Sequence, residues 1–108
     1  LRAVDGPVGI VPAGERWPDG TLRVAYEDLL GAGAIVAGLD GRSPEADAAA
    51  ALFGATPDLR GVLGSLASGR ELIADGFAAD VDLAAELDAG AAVPVLHDGF
   101  LGDGHPGT

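Results

Sequence analysis

Cysteine is absent from the chain. That removes a disulfide framework, a thiolate nucleophile and a cysteine-ligated zinc at one stroke. Lysine is absent as well, so all six basic residues are arginines, set against 17 Asp and Glu for a net charge of −11. Nucleic-acid binders need a basic face to displace counterions, and this chain has none to offer. The same charge argues against anionic membrane surfaces. The longest apolar run, near Gly31 to Leu39, is far short of the roughly 20 residues that a membrane span needs. No basic, apolar and small-residue leader is visible, so the expected address is the cytoplasm. Methionine is missing and aromatics are few: three Phe, one Trp and one Tyr.

What is present fits one small domain of 108 residues. At 48 % hydrophobic, with no long polar tract, the chain should be globular. Alanine inflates that share, and Leu and Val are the main large core formers. Burial stabilises by roughly 25 cal/mol per Å² of apolar surface, so an alanine-heavy core is thin. A homodimer or another partner surface is therefore compatible with the composition. Acidic surface residues chiefly confer solubility, while a smaller share would suit a hard cation such as Mg²⁺.

Along the chain, Val4 to Pro12 reads as a short apolar strand suited to a parallel sheet, and Ala13 to Leu22 as a loop. Ala25, Leu29, Ala32, Val36 and Leu39 recur at helical spacing, which predicts a buried helix from Val24 to Leu39. Gly31 and Gly33 within it suit close packing. Ser43-Pro44 opens a second helix to about Gly54. Thr56-Pro57 repeats that start signal for a short helix to about Leu66. Ser68-Gly69-Arg70-Glu71 has capping-box spacing and opens a helix that stops at Gly76. Asp80 can cap a last helix to about Asp88, ended by Gly90. Val93 to Leu96 is a second strand, at an edge because of Pro94. Gly102 to Thr108 reads as a flexible tail. The expected class is α/β, a layered α/β/α arrangement with few strands and several helices. Two strands cannot complete such a layer, and the chain starts at Leu1, so a part of a larger protein is expected.

Three clusters can carry chemistry. Gly14-Glu15-Arg16-Trp17-Pro18-Asp19-Gly20 follows the first strand, where α/β sheets gather ligands. Glu15 and Asp19 offer hard oxygens, and Arg16 a fork for phosphate or sulfonate; alternatively these charges face water. Glu27 and Asp28 open a helix, where the dipole alone favours them, though one can face the Glu15 loop. Ser68-Gly69-Arg70-Glu71 either forms a capping box or, through Ser68, Arg70 and free backbone N–H groups, binds an anion at a helix start. His97 and His105 have no metal-ligand spacing.

In order and spacing, several motifs resemble the C-terminal half of the 2-phosphosulfolactate phosphatases. They are Val11-Pro12-Ala13-Gly14-Glu15-Arg16-Trp17, Asp19-Gly20, Tyr26-Glu27-Asp28-Leu29-Leu30-Gly31-Ala32-Gly33, Ser43-Pro44-Glu45-Ala46, Ser68-Gly69-Arg70-Glu71-Leu72, Gly76-Phe77 and Asp80-Val81. The resemblance spans roughly Val4 to Phe100 and makes residues 1–101 the C-terminal part of a phosphatase-like α/β domain, with 102–108 as tail. It implies a Mg²⁺-dependent hydrolase that removes phosphate from 2-phospho-3-sulfolactate, a step toward coenzyme M. On that resemblance Glu15, Glu27 and Asp28 are metal ligands, Glu15 and Asp19 catalytic, and Arg16, Ser68 and Arg70 bind the small-molecule phosphate ester. The family's N-terminal half, with its own Asp- and Arg-containing motif, has no counterpart here. A truncated domain that binds an anion or a protein without turnover is the rival expectation.

Overall fold

In the computed structural model, residues 5–104 are described. The readings for Val4, His105 and the end of the tail lie outside them. Among the described residues there are five helices and two small two-stranded sheets, consistent with a partial α/β domain. Their order is β1 (Glu15–Arg16), β2 (Leu22–Arg23), α1 (Tyr26–Ala37), α2 (Pro44–Gly54), α3 (Leu59–Ser65), α4 (Ala67–Ala74), α5 (Ala78–Ala84), β3 (Pro94–His97) and β4 (Phe100–Asp103).

Residues 13–22, expected as a loop, instead contain the first hairpin. β1 and β2 are antiparallel, with Glu15 opposite Arg23 and Arg16 opposite Leu22. Pro18, Asp19 and Gly20 supply the turn chemistry. The Gly20 N–H donates to the Trp17 carbonyl at 2.8 Å, and the Asp19 carboxylate accepts from the Thr21 N–H and hydroxyl at 2.9 and 2.6 Å. Those two hydrogen bonds hold the Asp19 carboxyl below its ordinary pKa, the hydroxyl contributing most.

The helical expectation for Val24 to Leu39 holds as α1. Leu30, Ala32, Gly33 and Val36 are its buried residues. Gly33 lies against α2 so closely that a Cβ there would come within 2.2 Å of the Ala49 carbonyl oxygen, whereas Gly31 faces open space. The end of α1 has no basic residue of its own. Arg42, beyond the helix, donates to the carbonyl of Leu39 at 2.8 Å and pairs with Asp47 at 2.7 Å. Ser43 caps α2 as expected, its hydroxyl accepting from the Ala46 N–H at 3.3 Å.

The later helices start at other residues than the sequence suggests. Thr56 bonds back to the Leu52 carbonyl at 2.8 Å, and Asp58 caps α3 by accepting from the Gly61 N–H at 3.0 Å. Leu66 both ends α3 and opens α4, so Ser68 lies inside α4 and forms no capping box. Gly69 permits the crossing of α3 and α4, for a Cβ there would overlap the Leu63 carbonyl. Gly76 does stop α4: the Phe77 N–H reaches the Leu72 carbonyl at 2.8 Å and the Gly76 N–H that of Ile73 at 3.2 Å. That is a Schellman pattern, with Gly76 at φ +88°. Phe77, not Asp80, precedes α5, and the helix ends at Ala84, well short of Gly90.

The second strand is present as β3, paired with β4 through Asp98-Gly99. Both turn residues have positive φ, as a two-residue hairpin loop requires. Gly102 and Asp103 therefore lie in β4. The strand expected at Val4 to Pro12 does not form a ladder among the described residues. Among the described residues both sheets are two-stranded antiparallel hairpins, and neither takes up this segment as a further strand. Val11 is 82 % exposed in consequence. All eight residues of β3 and β4 are exposed too. The Cα radius of gyration is 15.5 Å, against about 13 Å for a close-packed chain of this length. The core is small: Leu30 and Val81 are its most buried large side chains, with four alanines or valines around them.

Candidate functional site

A cleft of about 100 Å³ opens where the first hairpin, the start of α1 and the start of α4 meet. Glu15, Arg23, Glu27 and Ser68 line it, with Ala25, Tyr26 and Leu66 among the remaining walls. Each polar residue is placed by a local cause. The hairpin register points Glu15 and Arg23 at one another as a cross-strand pair. Glu27 is in the first turn of α1, and Ser68 in the first turn of α4.

Arg23 organises the carboxylates. Its two terminal nitrogens donate to the two oxygens of Glu71 at 2.9 and 3.2 Å. Glu15 lies 3.8 Å away, and the Trp17 ring centroid 4.8 Å from the guanidinium carbon. The hydrogen bonds that Arg23 donates to Glu71 and the charges of Glu71, Glu15 and Glu27 raise the Arg23 pKa, opposed by partial desolvation. Arg23 is thus a permanent cation in this cleft.

The Ser68 hydroxyl donates to Glu27 Oε1 at 2.6 Å in a partly buried contact. With its proton committed, the serine oxygen presents lone pairs to the cleft and not a donor. Asp28 points elsewhere: its Oδ2 accepts from the Gly14 N–H at 2.7 Å. Gly14 has φ +72°, and a Cβ there would stand 2.8 Å from the Arg23 carbonyl oxygen, so glycine alone fits that bend. Asp28 anchors the segment leading into β1 through its bond with the Gly14 N–H.

The residues singled out from the sequence divide accordingly. Glu15, Glu27 and Ser68 share the cleft, and Asp28 touches its supporting loop. Asp19 is held on the hairpin turn by Thr21. Arg16 and Arg70 are exposed, and neither guanidinium has a partner among the described residues. Arg23 and Glu71 were not singled out for the site. The signal for Arg23 was the Pro-Asp-Gly turn, from which counting back to Glu15 places Arg23 opposite.

As a metal centre the donor set is incomplete. Among the described residues no three carboxylate or imidazole side chains converge on a point. Glu15 faces Arg23, Glu27 accepts a hydrogen bond from the Ser68 hydroxyl and Asp28 accepts one from a backbone N–H. Mg²⁺ commonly uses only one or two carboxylates with waters and substrate phosphate, so these side chains can contribute to such a site but do not build it alone. The cleft carries more carboxylate than guanidinium charge and repels an unescorted phosphate. It is also smaller than the roughly 300–1,000 Å³ typical of small-molecule pockets. No helix among the described residues is long and apolar enough to cross a membrane.

The family model described as 2-phosphosulpholactate phosphatase matches residues 1–99 of the chain. No curated protein and no solved structure matches it.

Proposed function

The chain belongs to the 2-phosphosulpholactate phosphatase family, and from that membership we propose that its Glu15–Glu27–Ser68 cleft is one wall of a site for phosphate-ester hydrolysis. The observation that supports the reading is the meeting of these three residues, distant in sequence, around one opening. The proposed substrate is 2-phospho-3-sulfolactate and the product 3-sulfolactate, on the way to coenzyme M. That substrate is anionic at every end, and the cleft itself is rich in carboxylates. Cations must therefore stand between the two. Arg16 and Arg70 are the exposed guanidinium groups proposed to grip phosphate or sulfonate in fork geometry. Mg²⁺ is proposed as cofactor only with donors beyond Glu15, Glu27 and Asp28, whose present arrangement leaves a cage unfinished. Asp19 fits a turn-forming role better than a catalytic one, because Thr21 takes up its carboxylate.

A second reading is favoured by a different observation. Residues 7–14 join no ladder, and Val11 stands in solvent. An unpaired strand edge with apolar side chains is a surface for another chain. On this reading the domain binds a partner or an anion and turns nothing over until residues from elsewhere complete the site.

Phosphate release from 2-phosphosulfolactate by the purified chain, with Mg²⁺ and then with excess chelator, separates the two. Release that the chelator abolishes, and that Glu15→Gln removes, supports the phosphatase reading. A folded sample that releases no phosphate supports the second.

A further inference from the structure

Two contacts tie α4 to the first hairpin and α1, three residues apart on α4 and four apart on the opposing segment. Arg23 meets Glu71, and Glu27 meets Ser68. Ser68 and Glu71 are three apart on α4 and share one face of it. Arg23 and Glu27 flank the entry to α1. The two pairs therefore form a two-point clasp across the cleft.

The members of the clasp are unequal. The Arg23–Glu71 pair is a charge-assisted fork, with the guanidinium stacked on Trp17 and its side chain 18 % exposed. Forked pairs of this kind fix geometry as well as distance. The Ser68–Glu27 bond is a single hydroxyl contact whose donor can rotate to other acceptors or to water. Held by one end only, α4 can turn Ser68 away from Glu27. Held by the fork, it cannot.

We propose that Arg23 and Glu71 are positioning residues for the cleft: their pair fixes α4 so that the Ser68 hydroxyl stays on Glu27 Oε1 and the Glu27 carboxylate is held at the cleft. The assignment of chemistry to that carboxylate rests on the phosphatase reading, but the positioning itself does not.

The ¹³C shift of the Glu27 side-chain carboxyl, at one fixed pH, reports the Ser68 bond directly. Ser68→Ala sets the value with the bond absent. Glu71→Ala leaves Arg23 and its charge in place beside Glu15 and Glu27 but removes the fork. It should move the Glu27 carboxyl signal most of the way to the Ser68→Ala value, with the amide spectrum of α1 and α2 unchanged. Arg23→Lys, which keeps the charge but loses the fork and the flat stack on Trp17, should move the Glu27 signal in the same direction and alter the Trp17 emission. A Glu27 signal that stays at its wild-type position in both variants overturns the proposal. So does a shift in Glu71→Ala that Ser68→Ala does not share. Glu71 is exposed at the helix surface, so the variant is expected to fold; should it not, Arg23→Lys alone decides by the same criterion. If the signal moves as described while the wild-type chain releases no phosphate, the clasp stands and the phosphatase reading fails.

Discussion

Adding one methyl group at Gly33 should destabilise the protein, whereas adding it at Gly31, two residues earlier on the same helix, should not. An ideal Cβ at Gly33 would lie 2.2 Å from the Ala49 carbonyl oxygen, 2.9 Å from its carbonyl carbon and 3.0 Å from Phe53 Cβ. The first two are backbone atoms of α2, which cannot rotate out of the way as a side-chain tip would. Relief requires α1 and α2 to separate, and this packing holds Leu30, Val36 and Ala49 in the core. Overpacking of this kind costs about 1–3 kcal/mol, and a clash with backbone belongs at the upper end. Alanine is the better helix former by about 1 kcal/mol, which offsets part of it. The net loss is about 1–2 kcal/mol, a large share of a marginal stability. With some 4–8 °C of Tm per kcal/mol at this size, Gly33→Ala should melt roughly 5–15 °C lower. Gly31 meets nothing within 4 Å, so Gly31→Ala should raise Tm by a few degrees, on the order of the propensity gain. Thermal and urea unfolding followed by circular dichroism at 222 nm measures both. A Gly33→Ala protein as stable as Gly31→Ala would refute the close approach of α1 and α2.

Gly69→Ala should act like Gly33→Ala where α4 crosses α3, and it should also lower the hydrogen-exchange protection of α4 relative to α1. Arg42→Ala removes the cation at the end of α1 together with its Asp47 pair; a loss of about 1 kcal/mol is expected in low salt, and less in 1 M salt. The Asp19 carboxyl has a folded pKa below its ordinary 3.8, so its turn bonds are intact above that value and fade only as pH falls through the lowered one. The Thr21 amide shift should therefore stay constant from neutral pH down to the ordinary carboxylate range and move below it; a midpoint above 3.8 would contradict the bonding described.

The helical half of the fold was legible because its signals are local. Apolar spacing marks α1, Ser43-Pro44 marks α2, and Gly76 stops α4. Where two caps compete within a few residues the sequence is ambiguous. Thr56 and Asp58 both can open α3, and Thr56 is drawn back to the Leu52 carbonyl. Ser68 carries the capping-box spacing, but α4 begins at Ala67, so Ser68 already lies inside the helix and its hydroxyl donates to a long-range acceptor, Glu27. Such competition is settled by tertiary contacts that a window of residues does not contain. The hairpins were underread for another reason. Pro18-Asp19-Gly20 and Asp98-Gly99 are turn signals with short or glycine-bearing flanks, so period-two alternation is too brief to register. At the site, Glu15, Glu27 and Ser68 were legible as chemistry-bearing residues. Arg23 was not, because its importance comes from the hairpin register and from Glu71, far along the chain.

Leu66 is one residue serving two helices. Its N–H closes α3 on the Val62 carbonyl at 3.1 Å, and its carbonyl accepts the Arg70 N–H that begins α4 at 2.9 Å. Its backbone, at φ −67° and ψ 159°, is the whole joint between the two axes. Mechanically the joint consists of the two backbone torsions of Leu66, with no slack loop to absorb rotation, and the Arg23–Glu71 fork is what holds its angle. At 1.5 Å of rise per residue α4 is about 12 Å long, so a turn of roughly 10° at the joint sweeps its far end by about 2 Å. Ser68 sits near the pivot and Glu71 midway along the lever. By lever length alone, an angular change at Leu66 would displace Glu71 more than Ser68, so the fork at Glu71 holds the joint with more leverage than the Ser68 contact does.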